Sequence, residues 1–120
     1  MGGYSLGGLF SLYAAVNSDL FGTVLSCSSS LWYPKLVAYL KEHPFKAAHP
    51  KLYMSVGDQE GTTAKNLTAD QTLNTLALKD WIESKFQAGD FQFTLEEGNH
   101  GNNIPRRVEH AVGWVEENYK

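Results

Sequence analysis

Gly3-Tyr4-Ser5-Leu6-Gly7-Gly8, close to the start of the chain, has the form G-x-S-x-G. In that pattern a serine occupies a sharp strand-to-helix turn with its Oγ exposed. Strained backbone angles at Ser5 would require small neighbours, hence Gly3 and Gly7. The backbone N–H of Leu6, opening the next helix, would then face and stabilise a developing oxyanion. The motif needs a strand before it and a helix after it. A helix is expected, but only Met1 and Gly2 precede Gly3, so the strand is expected to be missing.

From Leu6 to Val16 the apolar residues Leu9, Leu12, Tyr13 and Val16 recur at helical spacing, and Asn17-Ser18-Asp19 ends the segment. Thr23–Ser28 is short, β-branched and mostly apolar, as a strand buried on both faces should be. Ser29–Tyr33 leaves its C-terminal end as a loop, and Pro34 suits the first turn of a short helix to Leu40. After the proline-bearing connector from His43 to Pro50, Lys51–Val56 reads as a strand stopped by Gly57. Thr68 or Asp70 can cap a helix to Phe86, with Leu73, Leu76, Ala77, Asp80 and Trp81 marking its period. Phe91–Leu95 alternates as a third strand, and Pro105 opens a last helix with Val108, Ala111, Val112 and Val115 as its apolar marks. Helices alternating with strands imply an α/β domain with a mainly parallel sheet and right-handed crossovers.

Ligand sites in such sheets lie beyond the C-terminal ends of the strands. Three loops there, Gly3–Gly7, Gly57–Gly61 and Glu97–Asn103, carry in order a serine, an acid and a histidine. His100 would take the proton of Ser5, and an acid would orient the imidazole. Glu60, three residues past Gly57, is placed to bend back toward His100 and is favoured over Asp58, which directly follows Gly57. His43 and His49 adjoin prolines and read as surface residues, and His110 falls on the polar side of the last helix. Cys27 reads as a buried strand residue without an adjacent base.

The remaining composition narrows the class. A chain of 120 residues, 42% hydrophobic and 19% charged, is one ordinary globular domain over 1–120 with a modest core. A net charge of −3 without a basic stripe argues against nucleic acid. There is no apolar run approaching the ~18 residues of a membrane span and no signal-like leader. One cysteine excludes an internal disulfide and makes a cytoplasmic setting the default. No metal or cofactor is expected: histidines and cysteine lack ligand spacing, and no G-x-G-x-x-G follows a strand.

Four quoted segments together carry a family resemblance. Gly2-Gly3-Tyr4-Ser5-Leu6-Gly7-Gly8-Leu9-Phe10-Ser11-Leu12-Tyr13-Ala14, Ser28-Ser29-Ser30-Leu31-Trp32-Tyr33, Leu52–Glu60 and Gly98-Asn99-His100-Gly101 resemble the esterase family of α/β-hydrolases that includes esterase D-like and enterochelin (siderophore) esterases. The siderophore branch looks closest. Ser…acid…His is also the triad order of that fold. The resemblance implies a three-layer α/β/α arrangement and a serine carboxylic-ester hydrolase working through an acyl-enzyme on a small-molecule ester. Ser5 resembles the nucleophile, Leu6 N–H one oxyanion donor, His100 the base and Glu60 the acid. Some siderophore-branch members work with a Ser–His pair and a weak or absent acid, which leaves the Glu60 assignment open, with Asp58 as the alternative. Trp32 resembles a pocket-lining aromatic, and Tyr4 is the other substrate-binding candidate.

The resemblance covers all 120 residues but only the C-terminal half of a family member. Met1 is accordingly expected to be internal to a longer gene. An uncovered parallel edge invites pairing with a second copy. Without the second oxyanion donor, activity is expected about 10²–10³-fold below that of an intact relative. A catalytically silent self-associating fragment and an acyltransferase of the same family are the alternative functions.

Overall fold

The strand before the serine is present. In the computed structural model, which describes residues 1–29, 35–58, 71–87, 89–101 and 103–118, β1 spans Gly2–Tyr4. Three residues suffice because their partner is in register: Gly2, Gly3 and Tyr4 face Leu25, Ser26 and Cys27 of β2 (Thr23–Cys27). Met1 extends the ladder, its carbonyl accepting from Leu25 N at 2.9 Å. Ladder geometry, rather than side-chain pattern, makes this strand, since two of its three residues are glycines.

The sheet continues through β3 (Lys51–Gly57) and β4 (Phe91–Glu96), in the order β1-β2-β3-β4 with every pairing parallel. Between them lie α1 (Leu6–Asn17), α2 (Leu36–Glu42) and α3 (Gln71–Glu83), and α4 (Ile104–Asn118) closes the chain. Strands laid down in one direction with right-handed crossovers must put all the crossover helices on one face. The core records this. Leu12, Val16, Leu36, Leu40, Leu78 and Ile82 of α1–α3 pack with Val24, Leu52 and Met54 of the sheet. Alternate strand residues Cys27 and Tyr53 face the other way, where Ala111 and Trp114 of α4 cover them. The result is the expected α/β/α sandwich. Each fully buried Val24, Leu52 or Met54 contributes roughly 1.5–3 kcal/mol of transfer free energy.

Two helices bury different faces from those their apolar pattern suggests. On α3, Thr72, Thr75, Leu78 and Ile82 are buried, whereas Leu73 is 62% exposed. Thr72 turns inward because its Oγ1 donates to the Gly57 carbonyl at 2.6 Å, closing the end of β3. On α4 the buried face is Arg107 and Ala111 with Trp114, spaced i, i+4, i+7, while Val108 and Val112 are exposed. Among the described residues, both edges of the sheet, β1 and β4, have one strand neighbour each.

Candidate active site

Ser5 is the N-cap of α1 and holds φ 61°, ψ −120°, a conformation L-residues rarely adopt. Such a backbone costs about 1–3 kcal/mol and persists only where its surroundings over-determine it. Those surroundings are visible. Ser5 N donates to Cys27 O at 2.9 Å, fixing the turn to β2, and Ser5 O accepts the first helical bond from Leu9 N. A Cβ on Gly3 would lie 2.3 Å from Gly7 C, so the turn closes only with glycine at position 3. Gly7 differs from the motif's simplest reading: a Cβ there would meet nothing within 4 Å. Its role is to be approached by Gly3.

The Ser5 hydroxyl makes no capping bond to α1. A serine cap is typically worth about 1 kcal/mol, and here the side chain is directed elsewhere. Its Oγ lies 2.9 Å from His100 Nε2, across 95 positions of sequence. With the imidazole proton on Nδ1, Ser5 Oγ–H is the donor and Nε2 the acceptor. Leu6 is the first residue of α1, so its N–H has no intrahelical acceptor and sits at the positive end of the helix dipole.

His100 comes from the loop between β4 and α4, whose glycines leave it intrinsically free; Gly98 takes φ 110°. Among the described residues, Asp58, Tyr4 and Arg107 restrain it. Asp58, just after β3, accepts from Gly98 N through Oδ1 at 3.0 Å, while its own N–H donates to Glu96 O at 2.8 Å. The Tyr4 hydroxyl donates to the His100 carbonyl, and the Tyr4 ring lies 5.4 Å from the imidazole. Arg107 donates to Asn99 O at 2.6 Å and to Glu97 O at 3.4 Å. Ser5, Asp58 and His100 therefore stand at the C-terminal ends of β1, β3 and β4, the end at which parallel sheets place their ligands.

Of the residues singled out in the sequence, Ser5, Leu6, Tyr4, Asp58 and His100 are gathered here, while Glu60 and Trp32 lie outside the described residues. Asp58 holds the histidine loop through a backbone amide. Cys27 is buried, and burial pushes its thiol pKa above the usual 9.0. His43 departs from the expected surface position: it is half-buried, stacked on Tyr39 at 3.9 Å. His110, exposed on α4, has Nδ1 2.8 Å from Oε1 of buried Glu96. Sequence reasoning missed Arg107, reading α4 by its valines. The available signal was the Arg107, Ala111, Trp114 spacing, which carries a cation onto a helix face that also bears a tryptophan.

With the geometry in hand, known proteins place the fold. Siderophore hydrolase EstA from Aspergillus nidulans superposes with a TM-score of 0.77 at 18% identity, over 99% of this chain and 47% of that one. Siderophore hydrolase EstB from the same organism gives 0.72 at 18%, over 95% and 48%. The IroE-like serine hydrolase from Shewanella oneidensis gives 0.64 at 20%, over 98% and 37%. This chain has the α/β-hydrolase fold. It spans about half the length of the two Aspergillus hydrolases and 37% of the Shewanella one. In sequence, the uncharacterized protein YbbA of Bacillus subtilis is 25% identical over 117 residues, covering 94% of this chain and 47% of YbbA. No family model matches the chain. Among the described residues, no helix is long and apolar enough to cross a membrane.

Proposed function

We propose that the chain is the catalytic half of a serine carboxylic-ester hydrolase, with Ser5 as nucleophile and His100 as general base. The observation that carries this is the 2.9 Å approach of His100 Nε2 to Ser5 Oγ, made by a serine held at φ 61°. A strained backbone and a forgone helix cap are costs with no return in stability; both are accounted for by presenting Oγ to a base.

The steps follow from those positions. Ser5 Oγ attacks the ester carbonyl carbon as its proton passes to His100 Nε2. The carbonyl oxygen becomes an oxyanion within reach of the Leu6 N–H at the helix terminus. Collapse breaks the carbon–alkoxy bond, and the imidazolium returns its proton to the leaving alcohol. Water, deprotonated by His100, then attacks the acyl carbon; the acyl–Oγ bond breaks, the imidazolium returns the proton to Ser5 Oγ, and a carboxylic acid leaves. Glu60 or Asp58 would orient the imidazole, and Trp32 with Tyr4 would border the acyl group. The names of the superposed hydrolases, with the sequence resemblance, support an ester of the siderophore type as substrate. An alcohol in place of water would make the same chemistry an acyl transfer.

A fluorophosphonate probe tests the reading. Ser5 Oγ should displace fluoride from phosphorus and become labelled, and Ser5→Ala should abolish the label. Folded wild-type protein that takes up none overturns it, leaving a silent structural fragment.

A further inference from the structure

Arg107 is fully buried, the largest side chain among the described residues to be so. Burying a guanidinium is expensive unless its N–H groups find acceptors, and charge-assisted bonds are the strong ones. Among the described residues, Tyr4 Oη at 2.8 Å, Ser28 Oγ at 3.1 Å, Asn99 O at 2.6 Å and Glu97 O at 3.4 Å accept from it. They come from three separate segments, namely β1, the end of β2 and the loop before α4.

The identity of those partners matters more than their number. Tyr4 is the residue before Ser5, and Asn99 is the residue before His100. Through the Tyr4 hydroxyl, which donates to the His100 carbonyl, the same cation also reaches His100 itself. One guanidinium thus holds both chain neighbours of the Ser5–His100 pair, across a glycine-bearing loop that Asp58 also ties down at Gly98. Its fork of coplanar donors suits several carbonyl and hydroxyl acceptors at once, which a lysine ammonium cannot match.

We propose that Arg107 is a positioning residue for the reaction, setting the approach of His100 to Ser5 through Tyr4 and the carbonyls of the histidine loop. This rests on the ester-hydrolase reading. Its hydrogen bonds to Tyr4, Ser28 and the carbonyls of Glu97 and Asn99 act on the backbone that carries the pair, so its effect belongs to turnover and not to substrate binding. A misplacement of about 1 Å can cost on the order of 10²-fold in rate.

The test uses Arg107→Met, Arg107→Lys and Tyr4→Phe in the full chain, with folding checked by thermal unfolding. Hydrolysis of p-nitrophenyl acetate and the ¹⁵N resonance of His100 Nε2, assigned with His100→Gln, are both measured. In Arg107→Met, kcat should fall at least tenfold with KM within threefold of wild type. The Nε2 resonance should lose its hydrogen-bonded position, and Arg107→Lys should recover part of both. Tyr4→Phe removes only the hydroxyl that links Arg107 to the His100 carbonyl and should lower kcat at least threefold and displace the Nε2 resonance, which keeps the test open if Arg107→Met does not fold. Folded variants with wild-type kcat and an unmoved resonance overturn the proposal. If the wild type shows no Ser5-dependent turnover, the hydrolase reading fails separately. The resonance then decides positioning alone: displaced in the folded variants it stands, unmoved it falls.

Discussion

Gly3 and Gly7 have the same status in the G-x-S-x-G pattern, yet the structure predicts opposite outcomes for replacing them. A Cβ on Gly3 would stand 2.3, 2.4 and 2.8 Å from the carbonyl carbon, oxygen and Cα of Gly7. All three are backbone atoms at the start of α1, so relief requires moving the helix terminus by about 1 Å instead of turning a side chain. Overpacking typically costs 1–3 kcal/mol, and with backbone as the obstacle Gly3→Ala should reach about 3 kcal/mol. For a chain this size, that corresponds to a fall of about 10 °C in Tm. A Cβ on Gly7 meets nothing within 4 Å, and alanine in a helix is favoured over glycine by up to about 1 kcal/mol. Gly7→Ala should therefore melt at or a few degrees above wild type. Thermal unfolding by circular dichroism, with fluorophosphonate labelling alongside, reads both variants. Gly3→Ala should also label more slowly, because Ser5 moves with the helix. Equal melting of Gly3→Ala and wild type would refute the close-approach argument.

Other outcomes follow from single features. Met1 O and Ser5 N both face β2, so alternation along the strand turns the backbone groups of Gly2 and Tyr4 to the open edge. We propose that a second copy pairs there; the mass by light scattering should rise with concentration, and the Gly2 and Tyr4 amides should become protected from exchange, whereas a concentration-independent monomer would exclude it. Burial pushes the Tyr53 phenol from 10.0 up to about 12. The native state thus holds this proton more tightly than the unfolded chain, a contribution intact below pH 10 and lost as pH climbs to 12. About 2 kcal/mol should disappear across that window, and Tyr53→Phe should flatten the loss in a pH series of urea melts. Cys27, its thiol raised by burial, should alkylate with iodoacetamide far more slowly in the folded than in the urea-unfolded chain at neutral pH.

The parts legible in the sequence were those fixed by local pattern. Strands β2, β3 and β4 carry dense apolar or alternating residues, and their limits differ from the expected ones by one residue. The serine and histidine were found because their chemistry demands particular residue types on loops at one end of a sheet. Long-range geometry was not legible. Gly2–Tyr4 has no strand signature of its own and becomes β1 only through its pairing with Leu25–Cys27. The buried face of α3 is selected by the Thr72 bond to Gly57, not by Leu73 or Ala77. Arg107 reads as a surface cation in sequence because its acceptors, Tyr4 and Asn99, lie 103 and 8 positions away.

The central claim is that Ser5 and His100 form a working nucleophile–base pair, and p-nitrophenyl acetate hydrolysis addresses it most directly. Wild type is compared with Ser5→Ala and His100→Gln, all three shown to be folded. The expected result is a burst and turnover in wild type that drop to the uncatalysed rate in both variants. Equal rates from all three proteins would contradict the claim and leave the 2.9 Å contact a feature of the fold alone.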